Sequence, residues 1–219
     1  MRDNILLTGM ILQTSPVNDY DRRLVVLTKE RGKVTIFARV ARRQNSKLTA
    51  AANPFCFGVF KVYEGKSAYN LIDVEVRYYF EELRTNVEGA YLGMYFLEYA
   101  AWYSRENNDE LELLKLLFQS VRAIVKGTID YRLIRRIFEI KILAVNGEFP
   151  GLSDNEAFLE ATRYTVNFIV NTPVEKLYTF KVSDAVLKEL SVLCERCGKR
   201  NSDHRFKSLE TLDSLFIKI

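Results

Sequence analysis

The sixteen residues from Arg23 to Ala38 read RLVVLTKERGKVTIFA, and they decide the fold of the first part of the chain. Two runs rich in β-formers, Arg23–Thr28 and Lys33–Ala38, flank a polar turn. Apolar and polar residues alternate along the second run, as in a strand with one buried face. Gly32 can adopt a positive φ without steric cost, which suits a tight connection. This stretch therefore predicts a β-hairpin.

Three further runs of the same kind surround the hairpin. They are Ile5–Gln13, Phe55–Tyr63 and Ala68–Tyr78, and a turn at Glu64–Lys66 joins the last two. The intervening segment Ala41–Asn53 is polar, small in its side chains and without clear periodicity, which predicts a long mobile loop. Five short strands with one long loop favour a small closed barrel of the OB type.

From Glu81 onward the hydrophobic period becomes that of helices. The predicted helices are Val87–Trp102, Glu110–Lys126, Tyr131–Val145, Asp154–Asn171, Ser183–Cys197 and Phe206–Leu215. Asp130 is a suitable N-cap for the third of them. The sequence thus predicts an α+β chain, in which an N-terminal OB-fold β-barrel over residues 1–80 binds nucleic acid and an α-helical domain follows over residues 81–219.

Composition and cysteine usage favour a cytoplasmic protein. The chain has 219 residues, of which 48% are hydrophobic, and this is enough for a sizeable core. No apolar run reaches the roughly 18 residues of a membrane helix, and the first residues lack a signal-peptide pattern. The cysteines Cys56, Cys194 and Cys197 are odd in number and too few for a disulfide framework, which indicates a reducing compartment.

Positive charge is concentrated in the first eighty residues. Those residues contain thirteen Lys/Arg against seven Asp/Glu, a net charge of +6, whereas the remaining nineteen basic and twenty-one acidic residues give −2. Nine of the basic residues and one acid, Glu30, lie between Arg22 and Lys47. We predict that these nine neutralise nucleic-acid phosphates: Arg22, Arg23, Lys29, Arg31, Lys33, Arg39, Arg42, Arg43 and Lys47.

Aromatic residues on the same segments could add stacking platforms for a single strand. The candidates are Phe37, Phe57, Tyr63 and Tyr69, each of which could instead belong to the barrel core. The alternative reading of the basic segment is a solvated cationic face without a ligand.

Metal or nucleophile chemistry has little support in the sequence, and no cofactor is expected. Cys194, Cys197 and His204 are weak metal candidates, because structural zinc takes four ligands and the two thiols can equally pack as small apolar groups on one helix face. Asp73 and Glu75 point to one side of a strand and could hold Mg²⁺ in a nuclease, or could face nearby arginines.

Three arginines of the third helix, Arg132, Arg135 and Arg136, accompany an apolar face. Arginines beside an apolar groove suit an acidic and hydrophobic peptide tail. The alternative is an ordinary amphipathic helix with arginines that reach into solvent.

The chain as a whole resembles the RecO family of bacterial DNA-repair proteins, the recombination mediators. The residues that carry this resemblance are, in order, Gly9–Thr14, Asp19–Thr28, Lys29–Lys33, Ala38–Arg43, Ser46–Leu48, Pro54-Phe55, Arg136–Leu143, Gly147, Pro150–Leu152 and His204–Leu209. Each motif alone is loose, but together they cover nearly the whole chain in the family's order and spacing.

The resemblance implies an OB-fold followed by a helical domain, binding of single- and double-stranded DNA, and annealing of complementary strands. It also implies help in loading the recombinase onto strands coated by single-strand-binding protein. The implied partners are RecR and the acidic C-terminal tail of that coating protein, which favours Arg132, Arg135 and Arg136 as a tail-binding site. Many members carry four zinc-binding cysteines after the segment that matches Gly147–Leu152, but residues 147–190 contain none here.

The leading hypothesis is a non-enzymatic, nucleoid-associated DNA-annealing and recombination-mediator protein. A second hypothesis is an adaptor whose basic barrel binds acidic peptide tails. A third is the metal-dependent nuclease that would use Asp73 and Glu75. Binding of an oligonucleotide across a salt series distinguishes the first hypothesis from the second. Incubation of DNA with Mg²⁺ tests the third, which requires that the DNA is cleaved.

Overall fold

A computed structural model describes residues 4–152, 157–201 and 204–216. It confirms the predicted fold class, since a closed five-stranded barrel is followed by a helical region. The strands are β1 (Asn4–Val17), β2 (Asp21–Thr28), β3 (Gly32–Ala38), β4 (Phe57–Glu64) and β5 (Tyr69–Tyr78). Around the barrel they follow the order β1-β2-β3-β5-β4, with antiparallel neighbours except for the parallel pair β3–β5.

The hairpin predicted for Arg23–Ala38 is the pair β2–β3. Its strands pair from Arg22 opposite Ala38 to Thr28 opposite Gly32. Gly32 has a φ of +63°, and a Cβ there would lie 2.3 Å from the Arg105 carbonyl oxygen, so glycine is needed for both reasons.

The alternating pattern of the strands places one face in the barrel interior. Leu24, Val26, Val34, Ile36 and Phe60 are at most 2% exposed and belong to one apolar cluster there. The side chains that alternate with them face outward, which is how Arg23 of β2 and Lys33 of β3 reach the barrel surface.

The connection between β3 and β4 differs from the unstructured loop that the sequence predicts. It contains a one-turn helix, α1 (Leu48–Ala51). Ala41 and Ala52 belong to the barrel core, and Ala51 is buried as well. A four-residue helix is too short to produce a hydrophobic period, and alanine carries little pattern of its own. The sequence signal therefore missed it.

The remaining helices are α2 (Val87–Tyr103), α3 (Leu111–Lys126), α4 (Tyr131–Val145), α5 (Glu160–Asn171), α6 (Asp184–Asn201) and α7 (Lys207–Leu215). Asp130 caps α4 as predicted, because its side chain accepts from the Arg132 N–H. The predicted start of the fifth helix at Asp154 lies outside the described residues, and the described part of that helix begins at Glu160. None of the described helices is long and apolar enough to cross a membrane.

The chain forms two compact units. The first runs through Thr85 and includes Leu97–Leu114, and the second comprises Asn86–Phe96 and the chain from Lys115 onward. In the second unit α4 is the central helix, since every residue from Leu133 to Leu143 is buried and it packs against α5 and α6. The division into domains at residue 80 stays a prediction.

Candidate nucleic-acid interface

Most of the predicted DNA-binding residues lie at the end of the barrel where β2 begins and β3 ends. Two segments meet there, Asn18–Arg23 and Arg39–Asn53, and we call them together the basic end. The Arg42 N–H donates to the Tyr20 carbonyl at 2.8 Å, and Arg42 Nη1 donates to the Asn18 carbonyl at 3.2 Å. These bonds tie the two segments to each other and hold their side chains in one neighbourhood.

Four cations of the basic end extend into solvent, namely Arg23, Arg39, Arg43 and Lys47. Within the described ranges their side chains make no hydrogen bond or ion pair. The nearby acid Asp21 does not neutralise them by contact, because its Oδ1 accepts from the Val40 N–H at 2.8 Å. Exposed guanidinium groups without a protein carboxylate are suited to bidentate bonds with phosphate oxygens.

Arg22 has a structural role inside the same end. Its Nη1 donates to the Ala52 carbonyl and to Asn53 Oδ1, both at 2.7 Å, so it holds the residues after α1 against β2. The guanidinium is partly buried by these partners, whereas that of its neighbour Arg23 faces outward. Arg22 can therefore support the interface by fixing the segment that carries Arg43 and Lys47.

Lys29, Arg31 and Lys33 lie at the opposite end of the barrel. β2 has eight residues, so the two ends are separated by about 23 Å at roughly 3.3 Å per residue. Lys33 is also engaged internally: its Nζ donates to the Ala101 carbonyl at 2.6 Å, and burial, with a further contribution from Arg105, lowers its pKa. The nine predicted residues thus form two groups, and the larger one is at the basic end.

The aromatic residues proposed for stacking have different environments. Tyr69 is 7% exposed and belongs to the barrel core, so it cannot present a ring face to a base. Phe37 is half-buried on the outer surface of β3, directly opposite Arg23 on β2. Phe57 packs against Tyr78, with ring centroids 6.3 Å apart.

Sequence reasoning missed an aromatic side chain at the basic end itself. Tyr20, in the turn between β1 and β2, is 56% exposed. The turn is too short to show a period, and a tyrosine between two aspartates does not stand out as a nucleic-acid contact. The signal that could have found it is the exposure expected of a turn tip, next to the first arginines of the basic segment.

The three arginines of α4 are separated by the fold into one accessible and two buried side chains. Arg135 Nε donates to Glu139 Oε1 at 2.9 Å, and Arg136 Nη1 donates to Glu139 Oε2 at 2.8 Å. Arg135 also bonds Asp213 Oδ1 at 2.8 Å, and Arg136 Nε bonds Ser191 Oγ at 3.1 Å. Both arginine side chains are at most 8% exposed, so they stabilise the core of the second unit.

Arg132 lines a surface cavity of about 340 Å³ together with Asp184, Leu187, Lys188 and Ser191. Its side chain is 40% exposed and forms an ion pair with Asp130 at 2.6 Å. Lys188 was not predicted, because it comes from α6 and only the fold brings it beside α4. One leucine and two cations line this cavity together with Asp184, whose Oδ1 lies 3.7 Å from Arg132 Nη2. Leu187, Arg132 and Lys188 are the groups that can receive a short acidic and hydrophobic peptide.

The weak metal candidates are arranged as buried or stacked side chains. Cys194 and Cys197 are 7% and 1% exposed, and burial raises the pKa of the Cys194 thiol well above its usual value, which disfavours the thiolate that metals bind. The His204 ring packs edge-on against Phe206 at 4.8 Å between centroids. Among the described residues no group of three or more His, Cys, Asp or Glu is placed to hold a metal ion.

The two acids considered for a nuclease lie on the exposed surface of β5. Asp73 is opposite Lys61 of β4, and its Oδ1 accepts from the N–H of Val74 at 2.9 Å. Glu75 is opposite Val59. The carboxylate of Asp73 thus bonds to its own strand and lies opposite a lysine, whereas the alternative to the nuclease hypothesis expected arginines.

Comparisons with known proteins agree with this architecture. Residues 1–80 match the family model described as "Recombination protein O N terminal". Along 237 aligned residues the chain is 30% identical to the DNA repair protein RecO of Clostridium novyi, covering 94% of this chain and 93% of that protein. The corresponding proteins of Clostridium perfringens and Acetivibrio thermocellus are 25% and 23% identical, each with 95% or more of both chains covered.

Proposed function

This chain belongs to the RecO family of DNA repair proteins, and from that premise we propose that it acts in recombinational DNA repair by binding DNA strands and annealing them. The observation that carries the proposal is the basic end, where Arg23, Arg39, Arg43 and Lys47 share one end of an OB-type barrel and have no side-chain partner among the described residues. We further propose that it helps to load a recombinase onto single strands coated by single-strand-binding protein, and that it does so at the bacterial nucleoid and without catalysing a reaction.

Annealing needs charge neutralisation and no chemical step. Two complementary strands repel each other through their phosphates, and bound cations reduce that repulsion while the bases stay free to pair. Arg23, Arg39, Arg42, Arg43 and Lys47 can supply such contacts, and the hydrogen bonds of Arg42 to the β1–β2 turn reduce the ordering that binding would otherwise require. Contacts of this kind predict little preference for base sequence.

The test is binding of a fluorescent oligonucleotide across a salt series to the triple variant Arg39→Ala/Arg42→Ala/Arg43→Ala. Each lost phosphate contact on a single strand should reduce the slope of log affinity against log salt by about 0.7, so the slope should fall by up to about 2. The matched control is Lys66→Ala/Lys126→Ala/Lys176→Ala, which removes the same charge from three exposed lysines elsewhere.

The proposal requires that the control binds as the wild type does. If the triple arginine variant also keeps wild-type affinity and salt slope, the basic end is not the DNA interface. Retained binding of acidic peptides with no affinity for oligonucleotides would favour the adaptor hypothesis. Cleavage of DNA in the presence of Mg²⁺ would contradict a function without catalysis.

We propose in addition that the cavity beside Arg132 receives the acidic C-terminal tail of single-strand-binding protein. Arg132 and Lys188 would pair with the carboxylates of the tail, and Leu187 would contact its apolar side chains. Arg135 and Arg136 would contribute indirectly, since Arg136 bonds Ser191, which is part of the cavity wall. RecR remains the other proposed protein partner.

Titration of a labelled tail peptide into the variant Arg132→Ala/Lys188→Ala tests the cavity. The affinity should fall about tenfold, because two charge-assisted contacts at a partly exposed site are lost. The control is Arg122→Ala/Lys126→Ala, a loss of two exposed cations on α3. Equal affinities of the first variant and the wild type would remove the cavity as the tail site.

A further inference from the structure

The turn between β1 and β2 presents a tyrosine to solvent in the middle of the basic end. Tyr20 is 56% exposed, and within the described residues its ring makes no contact with another aromatic ring. Its position among exposed cations makes it a candidate contact for a base, because single-strand sites combine a cationic groove with aromatic side chains on which bases stack. Its neighbours Asn18 and Asp21 are hydrogen-bonded to the segment Arg39–Asn53.

The backbone of this turn is held in place by hydrogen bonds on either side of Tyr20. Its own carbonyl accepts from the Arg42 N–H at 2.8 Å, and the carbonyl of Asn18 accepts from Arg42 Nη1 at 3.2 Å. Asp21 Oδ1 accepts from the Val40 N–H at 2.8 Å. A platform whose backbone is already fixed loses little conformational entropy when a ligand contacts it.

The opposite segment carries a strained residue at this place. Val40 has a φ of +51°, in the left-handed region that a β-branched residue rarely enters, and its side chain is 47% exposed. Such conformations persist where the surrounding contacts impose them and occur often at ligand sites. Here the Val40 N–H donates to Asp21 Oδ1, and the Val40 carbonyl accepts from the Arg43 N–H at 3.1 Å, so both sides of the residue are bonded in this conformation. The exposed Val40 side chain is a second apolar surface beside the arginines.

We propose that Tyr20 is a stacking platform for an unpaired nucleobase, so that the basic end prefers single strands over duplex DNA. The proposal rests on the proposed function, because it assumes that DNA binds at the basic end. An unpaired base offers its face to the tyrosine ring while Arg39 and Arg43 contact the flanking phosphates. In a continuous duplex every base is already stacked between its neighbours, so no base face is available to the Tyr20 ring.

The test compares Tyr20→Ala and Tyr20→Phe for two ligands at one salt concentration. One ligand is a fluorescent 20-nucleotide oligothymidylate, and the other is a duplex of equal length closed by hairpin loops of a non-nucleotide linker, which has no terminal base face. Tyr20→Ala should weaken binding of the single strand about tenfold and that of the closed duplex less than about twofold. Tyr20→Phe should behave as the wild type, because the ring is kept.

A second readout locates the contact directly. Photocrosslinking of an oligonucleotide that contains 5-iodouracil, followed by trypsin and mass spectrometry, should attach a nucleotide to the peptide that ends at Arg22, within which Tyr20 lies. The control variant is Tyr164→Ala, an exposed tyrosine of α5, which should leave binding and crosslinking unchanged.

The outcomes separate this proposal from the proposed function. If Tyr20→Ala binds the single strand as tightly as the wild type while the triple arginine variant loses affinity, stacking is refuted and the DNA interface stands. An equal loss for both ligands, or a loss in Tyr20→Phe like that in Tyr20→Ala, also overturns it. A wild type that binds neither ligand refutes the proposed function itself.

Discussion

Two groups of arginines in this molecule have opposite environments. At the basic end of the barrel Arg39 and Arg43 are exposed and make no ion pair within the described part of the chain. In α4 the side chains of Arg135 and Arg136 are 8% and 5% exposed and share the carboxylate of Glu139. The first pair retains its capacity for an external anion, whereas the second has used that capacity inside the protein.

The two environments differ because α4 contains an acid within reach of its arginines and the segment at the basic end does not. Glu139 follows Arg135 by four residues and Arg136 by three, so on a helix its carboxylate lies beside both guanidinium groups. The segment from Arg39 to Lys47 contains no acid at all. A basic cluster is therefore better judged by the acids within reach of it in the expected secondary structure than by its number of arginines.

The strongest way to disturb the buried group is Glu139→Gln. The substitution leaves the buried Arg136 without a carboxylate partner and Arg135 with Asp213 alone, so we expect a loss of about 3–5 kcal/mol in the free energy of unfolding. Thermal denaturation should show a fall in Tm of roughly 10 °C for a chain of this size. The control Glu195→Gln removes an exposed acid of α6 and should change stability by less than about 0.5 kcal/mol.

A small effect of Glu139→Gln would mean that Arg135 and Arg136 find water or another acceptor easily, and that the contrast between the two groups is weaker than their geometry suggests. DNA affinity is a separate readout. It should be unchanged at a temperature where the variant is folded, since the basic end belongs to the other compact unit.

The same carboxylate predicts how stability changes with acid. Burial by itself would raise the pKa of Glu139, but the charges and hydrogen bonds of Arg136 and Arg135 outweigh burial and lower the pKa from 4.5 to about 2. Because the folded-state pKa is depressed, this stabilisation is present above the unfolded-state pKa and is lost as pH falls from about 4.5 towards 2. Urea denaturation at a series of pH values should therefore have a steeper acid limb in the wild type than in Glu139→Gln.

Parallel acid limbs in the two proteins would assign the acid sensitivity to other carboxylates. Asp130 is one such group, since its hydrogen bonds with Arg132 lower its pKa as well.

The fold was predictable to a large extent because its strands and long helices carry strong periodic patterns. The hairpin β2–β3, the five strands and the N-cap Asp130 of α4 agree with the sequence predictions. The helix α1 could not be predicted, since four residues contain barely one turn and its buried alanines resemble loop residues in their size.

The candidate site was less predictable, because a site depends on pairs of residues that the chain brings together from far apart. The concentration of cations in residues 22–47 was visible, but its division between two ends of the barrel depends on the length of β2. Arg22 and Arg23 are adjacent in sequence and differ in role because one lies within reach of Ala52 and Asn53. The cavity beside Arg132 could not be foreseen, since Lys188 comes from another helix.

Arg22 and Arg23, which are adjacent in sequence, allow the same comparison between an arginine with internal partners and an exposed one. Arg22→Ala removes two hydrogen bonds of 2.7 Å to partly buried acceptors, so the free energy of unfolding should fall by about 2 kcal/mol. Arg23→Ala should change stability by less than about 0.5 kcal/mol, and it should reduce the salt slope of oligonucleotide binding by about 0.7. Chemical denaturation and the binding series together check both. Equal stabilities of the two variants would deny Arg22 its structural role.

The smallest expected effect concerns the other end of the barrel. Lys29→Ala/Arg31→Ala removes two exposed cations that lie about 23 Å from the basic end by the rise of β2, so it should weaken oligonucleotide binding by no more than about twofold. The charge-matched variant Arg39→Ala/Arg43→Ala should reduce the salt slope by about 1.4, twice the value for one phosphate contact. Both variants lose two positive charges, so the difference between them reports position and not net charge. Equal losses of slope would mean that the strand runs along the whole length of β2 and β3, past Phe37 on the outer face, and the interface would then be the side of the barrel instead of its end.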